Sequence, residues 1–103
     1  MSTQAEREAW AGMFGLRTRT TPFGETHCMV NGYWQHPPDF AALDGPYFGA
    51  AYLELITSDH VPSYDRKDGL HDWFYAGQRV SRDTDLGICT MNALLAKRER
   101  EGV

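Results

Sequence analysis

Four residues, Gly77 to Val80, stand between two stretches that each carry a helical pattern, and so short a link favours an antiparallel pair. In the first stretch His71 and Tyr75 are four residues apart, which places them on one helical face about a turn from each other. Asp68 and Asp72 pair in the same way. Asp65 or Ser63 can cap this helix, Gly69 costs it about 1 kcal/mol relative to Ala, and Gly77-Gln78 ends it. The second stretch opens with Ser81 as cap and with Asp83 and Asp85 in the first turn, where acids suit the helix dipole. Leu86, Cys89, Ala93 and Ala96 share one side, Ile88, Met91 and Leu95 widen it, and Lys97, Arg98 and Arg100 close the last turn. The expected centre of the fold is therefore an antiparallel helix pair, residues 66–77 and 82–100.

The remainder is arranged around that pair. Thr3 and Glu6 form a capping box ahead of Ala9, Trp10, Met13 and Phe14 at helical spacing, and Gly15 is a stop. Residues 16 to 34 read as extended, with Pro22 and Gly24 marking one turn and Asn31-Gly32, a strong hairpin signal, marking another. Pro37-Pro38 forbids regular pairing beyond Tyr33-Trp34, and Asp39 can cap a single turn through Leu43. Residues 47 to 57 are the most apolar run. Tyr52, Leu55 and Ile56 share a helical face and Leu53 and Leu55 a strand face; the reading here is helix. The fold class expected is mainly α with a small N-terminal β-hairpin (α+β), in a single domain over residues 1–103.

Ten basic against 14 acidic residues leave a formal charge of −4, which argues against a nucleic-acid module. Cys28 and Cys89 are too few for a disulfide scaffold and read as buried thiols of a reducing compartment. The N-terminus lacks the basic start and apolar run of a signal peptide, and no stretch has the length of a membrane span. The expected location is cytoplasmic or virion-associated.

Across the proposed helix pair, His71 and Tyr75 come near Asp83 or Asp85. A carboxylate on one imidazole nitrogen fixes the tautomer and leaves the other nitrogen to accept a proton from water, the geometry of a general base. Asp72 points about 100° away around the helix. There it can offer oxygens to a hard cation such as calcium. The plainer account is a scaffold: His71 ties two helices together through Asp85, Asp72 is a surface acid, and Tyr75 is a core ring. His27, Cys28, His36, Asp39, Asp59 and His60 are metal-capable, but their spacing matches no zinc pattern, and ordinary loop hydrogen bonds are expected of them. The aromatic pairs Tyr33-Trp34, Tyr47-Phe48 and Trp73-Phe74 suit core packing, or an exposed rim for a protein partner or lipid.

The segment D-R-K-D-G-L-H-D-W-F-Y resembles the active-site helix of the phospholipase A2 superfamily, through Asp65-Arg66, His71-Asp72 and Tyr75. The resemblance covers roughly residues 65–96. It implies His71 as the base that activates water, Asp72 as a calcium ligand, Tyr75 as a supporting hydroxyl, and Asp85, with Asp83 in reserve, as the acid that orients the imidazole. Small phage proteins of unassigned function are similar too, with His-Asp, two residues and Tyr, then Ser-Arg and an acid, as in Ser81-Arg82 and Asp83 or Asp85. Upstream, where the superfamily carries a glycine-rich calcium loop, this chain reads Y-L-E-L-I over residues 52 to 56. The expectation is therefore a non-enzymatic, phage-like structural or accessory protein with a protein partner and no cofactor. The alternative is a calcium-dependent esterase acting on a lipid or other ester.

Overall fold

A computed structural model describes residues 3–102. The elements run α1 (Gln4–Met13), β1 (Thr18–Thr20), β2 (Thr26–Val30), β3 (Tyr33–Gln35), α2 (Pro46–Thr57), β4 (Val61–Asp65), β5 (Leu70–Tyr75), β6 (Gln78–Asp83) and α3 (Leu86–Arg100). The strands form two separate antiparallel sheets of three strands each, β1-β2-β3 and β4-β5-β6. This overturns the expected fold class. The protein is a balanced mixture of α and β, and its centre is a β-hairpin with one helix packed on it, where an antiparallel helix pair over 66–77 and 82–100 was expected.

Turn chemistry explains the difference. Ala76 and Gly77 have positive φ of 53° and 80°, and the residues flanking them, Tyr75 and Gln78, are paired. Positive φ at both central residues is what the twist-compatible two-residue hairpin loop requires. At the other end of β5, Asp65 pairs with Leu70, and the intervening loop ends on Gly69 at φ 65°. Asp65 Oδ1 accepts from the backbone N–H groups of Lys67 at 3.0 Å and Asp68 at 3.4 Å. An acid that caps a helix makes the same bonds, so one local signal serves both outcomes. Between the turns, Leu70–Tyr75 is rich in residues that suit a pleated sheet. A spacing of four fits the strand period of two as well as the helical turn, but in a strand it separates His71 from Tyr75 by about 13 Å.

The register of β5 with β6 shifts once. Trp73 lies opposite Ser81 and Phe74 opposite Arg79, so Val80 is the extra residue of a bulge. Val80 packs against the cluster of Leu55, Trp73, Cys89 and Ala93. The first sheet turns at Asn31-Gly32, where both residues have positive φ (52° and 85°) and Val30 pairs with Tyr33.

The helices at 4–13 and 46–57 begin on recognisable signals. Thr3 and Glu6 form the reciprocal capping box of α1, and Pro46 opens α2, where a missing N–H costs nothing. The last helix begins later than its acidic opening suggested. Asp85 is its cap, accepting from Ile88 N at 3.0 Å, while Ser81 lies in β6 and donates its hydroxyl to the Cys89 carbonyl at 2.8 Å.

Helix α3 holds the two halves together. Ile88, Met91 and Leu94 join the core of Trp10, Cys28, Phe40 and Ala51, whereas Cys89 and Ala93 face Trp73 and Leu55. Its polar residues satisfy both buried indoles: Trp10 Nε1 donates to Asn92 Oδ1 at 3.2 Å and Trp73 Nε1 to Thr90 Oγ1 at 3.0 Å. Cys28 and Cys89 are free, buried thiols in different clusters. Among the described residues no helix is long and apolar enough to cross a membrane.

Candidate functional site

Strand β5 carries His71, Asp72 and Tyr75, and the alternation of a strand sends neighbours to opposite faces. His71 and Trp73 point toward the helices. The His71 ring meets that of Tyr64, its partner on β4, with centroids 4.6 Å apart and the planes tilted by 35°. The two rings line a cleft of about 230 Å³ together with Pro62 and Ser63 of β4, Tyr52 of α2 and Leu86 at the start of α3.

Asp72 lies on the other face. It is 4% exposed and directly opposite Arg82. Arg82 donates from Nε to Oδ1 at 2.7 Å and from Nη2 to Oδ2 at 3.2 Å, and Arg79 Nε approaches Oδ1 at 3.1 Å. The hydrogen-bonded Arg82 guanidinium holds the Asp72 carboxyl below its ordinary range against the opposing effect of burial, with further help from the charge of Arg79. Fork-to-fork pairing of this kind engages both carboxylate oxygens.

The other residues expected at the site are spread along the hairpin. Asp83 is the cross-strand neighbour of His71, and its Oδ1 accepts from the Asp85 backbone N–H at 2.8 Å. Asp85 is occupied in capping α3. Tyr75, at the far end of β5, stacks on the buried His60 at 4.6 Å, with the Arg100 guanidinium 4.1 Å from its ring centre. The fold thus brings His71 beside Asp83 in the same sheet. Asp72, Asp85 and Tyr75 each go to other surroundings.

A second group of polar side chains lies on the first sheet. Glu25, His27 and His36 bring one ligand-type atom each within 4.8 Å of one another. His27 and His36 meet edge to face at 4.8 Å between ring centroids, and Glu25 Oε2 is 3.6 Å from His27 Nε2. Linear spacing shows no zinc pattern here, yet the turn signal contains the information. Outward from Asn31-Gly32, Val30 pairs with Tyr33, Met29 with Trp34 and Cys28 with Gln35; one further step sets His27 opposite His36. The two arginines on Asp72 were missed for a similar reason, since only the strand register places Arg82 across from it.

No known protein family, curated protein or solved structure matches the chain.

Proposed function

We propose that this protein is a non-enzymatic accessory protein that acts by binding another protein, and that the His71 cleft seats an apolar or aromatic side chain of that partner. The observation that carries the reading is the strand placement of His71 and Asp72. An imidazole base and a calcium-binding carboxylate must address the same ester carbonyl, but here the two side chains leave opposite faces of one sheet. Both Asp72 oxygens are engaged by Arg82, whereas calcium requires six or more oxygen ligands.

The cleft itself favours a side chain over a lipid. Its volume of about 230 Å³ lies below the roughly 300–1,000 Å³ of small-molecule sites. Its lining of two tyrosines, a proline, a serine, a leucine and an imidazole offers aromatic surface of the kind enriched at protein interfaces. Tyr64 is half exposed at its edge, and Leu53 and Ile56 are exposed on the helix that carries Tyr52. The phage-like setting, cytoplasmic or virion-associated, rests on the resemblance in sequence around His71-Asp72 and Ser81-Arg82.

Two measurements test the reading. With calcium present, phospholipid vesicles and a simple ester are expected to be hydrolysed no faster by the wild type than by His71→Gln. A photocrosslinking phenylalanine analogue in place of Tyr64, in cells of the source organism, is expected to give one discrete protein adduct that Leu86→Glu abolishes. The same probe at Val61, on the outer face of β4, is expected to give none. Calcium-dependent hydrolysis lost in His71→Gln, or equal adducts from both positions, overturns the proposal.

A further inference from the structure

We propose that Glu25, His27 and His36 form a binding site for a divalent transition metal of the zinc type, open on its solvent side. Two imidazoles and one carboxylate are a known three-ligand set for zinc, with a fourth position left free. The donor set is wrong for calcium, which takes oxygen ligands almost throughout.

The first sheet brings the three ligands together. Glu25 immediately precedes β2 and His27 lies within it, and the Glu25 Oε2 comes to 3.6 Å from His27 Nε2. His36 follows the end of β3 and meets His27 through the hairpin register. Tetrahedral coordination at zinc–nitrogen lengths sets neighbouring ligand atoms about 3.3 Å apart. The three donor atoms already lie within 4.8 Å of one another, so rotation of the exposed Glu25 and His36 side chains closes the remaining gap.

His27 supplies an independent observation. Its Nδ1 is buried and has no hydrogen-bond partner, which is uncommon for a buried polar atom. An ion bound through Nδ1 would supply the partner that this atom lacks. Arg19, opposite His27 on β1, is the nearest objection, because a cation disfavours a metal. Its guanidinium is held over the Trp34 ring, 4.4 Å from the centroid. Glu25 and His36 are exposed, so the fourth position faces solvent, open to water or to a donor side chain from a partner.

The test is a calorimetric titration of the full chain with zinc chloride alone, at neutral pH. One ion per chain is expected. His36→Asn and His27→Asn are each expected to weaken binding by at least about tenfold, and Glu25→Gln by less. His71→Asn, on the other sheet, should keep the wild-type affinity. His36 is exposed and beyond the last strand pair, so His36→Asn should retain the wild-type far-ultraviolet spectrum. Cobalt should develop visible absorption in the wild type and lose it in His36→Asn. Absence of stoichiometric binding by the wild type, or equal affinity in wild type and His36→Asn, overturns the site.

Discussion

Arg82 lies directly across from Asp72 and closes both of its carboxylate oxygens, while Arg79 adds a contact from the same strand. A carboxylate so buried is tolerated because it is paired; removing the partner leaves the charge uncompensated. Arg82→Ala should therefore lower the urea midpoint more than Arg79→Ala. The double variant Asp72→Asn/Arg82→Gln should lose less than the sum of the losses in Asp72→Asn and Arg82→Gln. Acid adds a second readout. The Asp72 carboxyl is held below its ordinary value of 3.8 by Arg82. Its stabilising contribution is thus present above that value and is lost as pH falls through the lower folded value. Urea midpoints measured across this acid range should fall more steeply in the wild type than in Asp72→Asn.

Gly87 and Gly49 should respond oppositely to the same substitution. A Cβ at Gly87 would stand 1.8 Å from the Ala41 carbonyl oxygen and 2.8 Å from its carbon. Those are backbone atoms of the segment beside Phe40, which is fully buried. The helical gain from Gly to Ala is about 1 kcal/mol, smaller than the cost of forcing α3 off that segment, so Gly87→Ala should destabilise by about 2 kcal/mol or more. At Gly49, on α2, nothing lies within 4 Å of the added carbon. There the propensity acts alone, and Gly49→Ala should stabilise by about 0.5–1 kcal/mol. Thermal and urea unfolding of the two variants checks both signs.

What could be read from the sequence was local. The capping box of Thr3 and Glu6, the Asn31-Gly32 turn, the apolar helix after Pro46 and the basic end of α3 each depend on residues within a few positions. The central hairpin was misread because its signals are ambiguous at that range. Asp65 makes cap-like bonds in a strand turn, and Ala76 gives no warning that it adopts positive φ ahead of Gly77. The tight link does make its two flanks antiparallel neighbours, but they are strands and not helices.

The site followed the same division. His71 comes near Asp83, yet through cross-strand pairing, and the change of period sends Asp72 to the opposite face. A helix separates successive side chains by about 100°, a strand by about 180°. That difference decides whether a His-Asp dipeptide can serve one reacting centre. In the first sheet the histidines were visible one by one, but their meeting required extending the hairpin register to His36.

Thr90 is the sole hydrogen-bond acceptor described for the buried Trp73 indole, and both residues are fully buried. Thr90→Val keeps the shape and removes the oxygen, leaving the indole N–H unpaired. The expected loss is about 1–3 kcal/mol. Thr90→Ser keeps the acceptor and removes one methyl, for an expected loss of about 1 kcal/mol. Urea unfolding followed by tryptophan fluorescence ranks the two. A larger loss in the serine variant would assign the site to packing instead.

His60 should make the protein sensitive to mild acid. Its ring is buried, stacks on Tyr75, and sits between two opposite demands: Nδ1 lies 3.0 Å from the Ser58 carbonyl and Nε2 lies 3.1 Å from Arg100 Nη2. A carbonyl needs a donor and a guanidinium needs an acceptor, so the ring is neutral with its proton on Nδ1. Burial pushes its pKa below the ordinary 6.5, and the charges of Arg100 and Lys97 push the same way, against the Ser58 carbonyl and Asp59. The unfolded chain therefore takes up this proton at a higher pH than the folded one. Stability is complete above 6.5 and is lost as pH falls from there through the depressed folded value. In His60→Asn this slope should vanish, whatever the substitution costs at neutral pH. Urea midpoints collected from neutral pH down to the acid limb of Asp72 separate the two groups. An equal slope in wild type and His60→Asn would assign the titration to other residues.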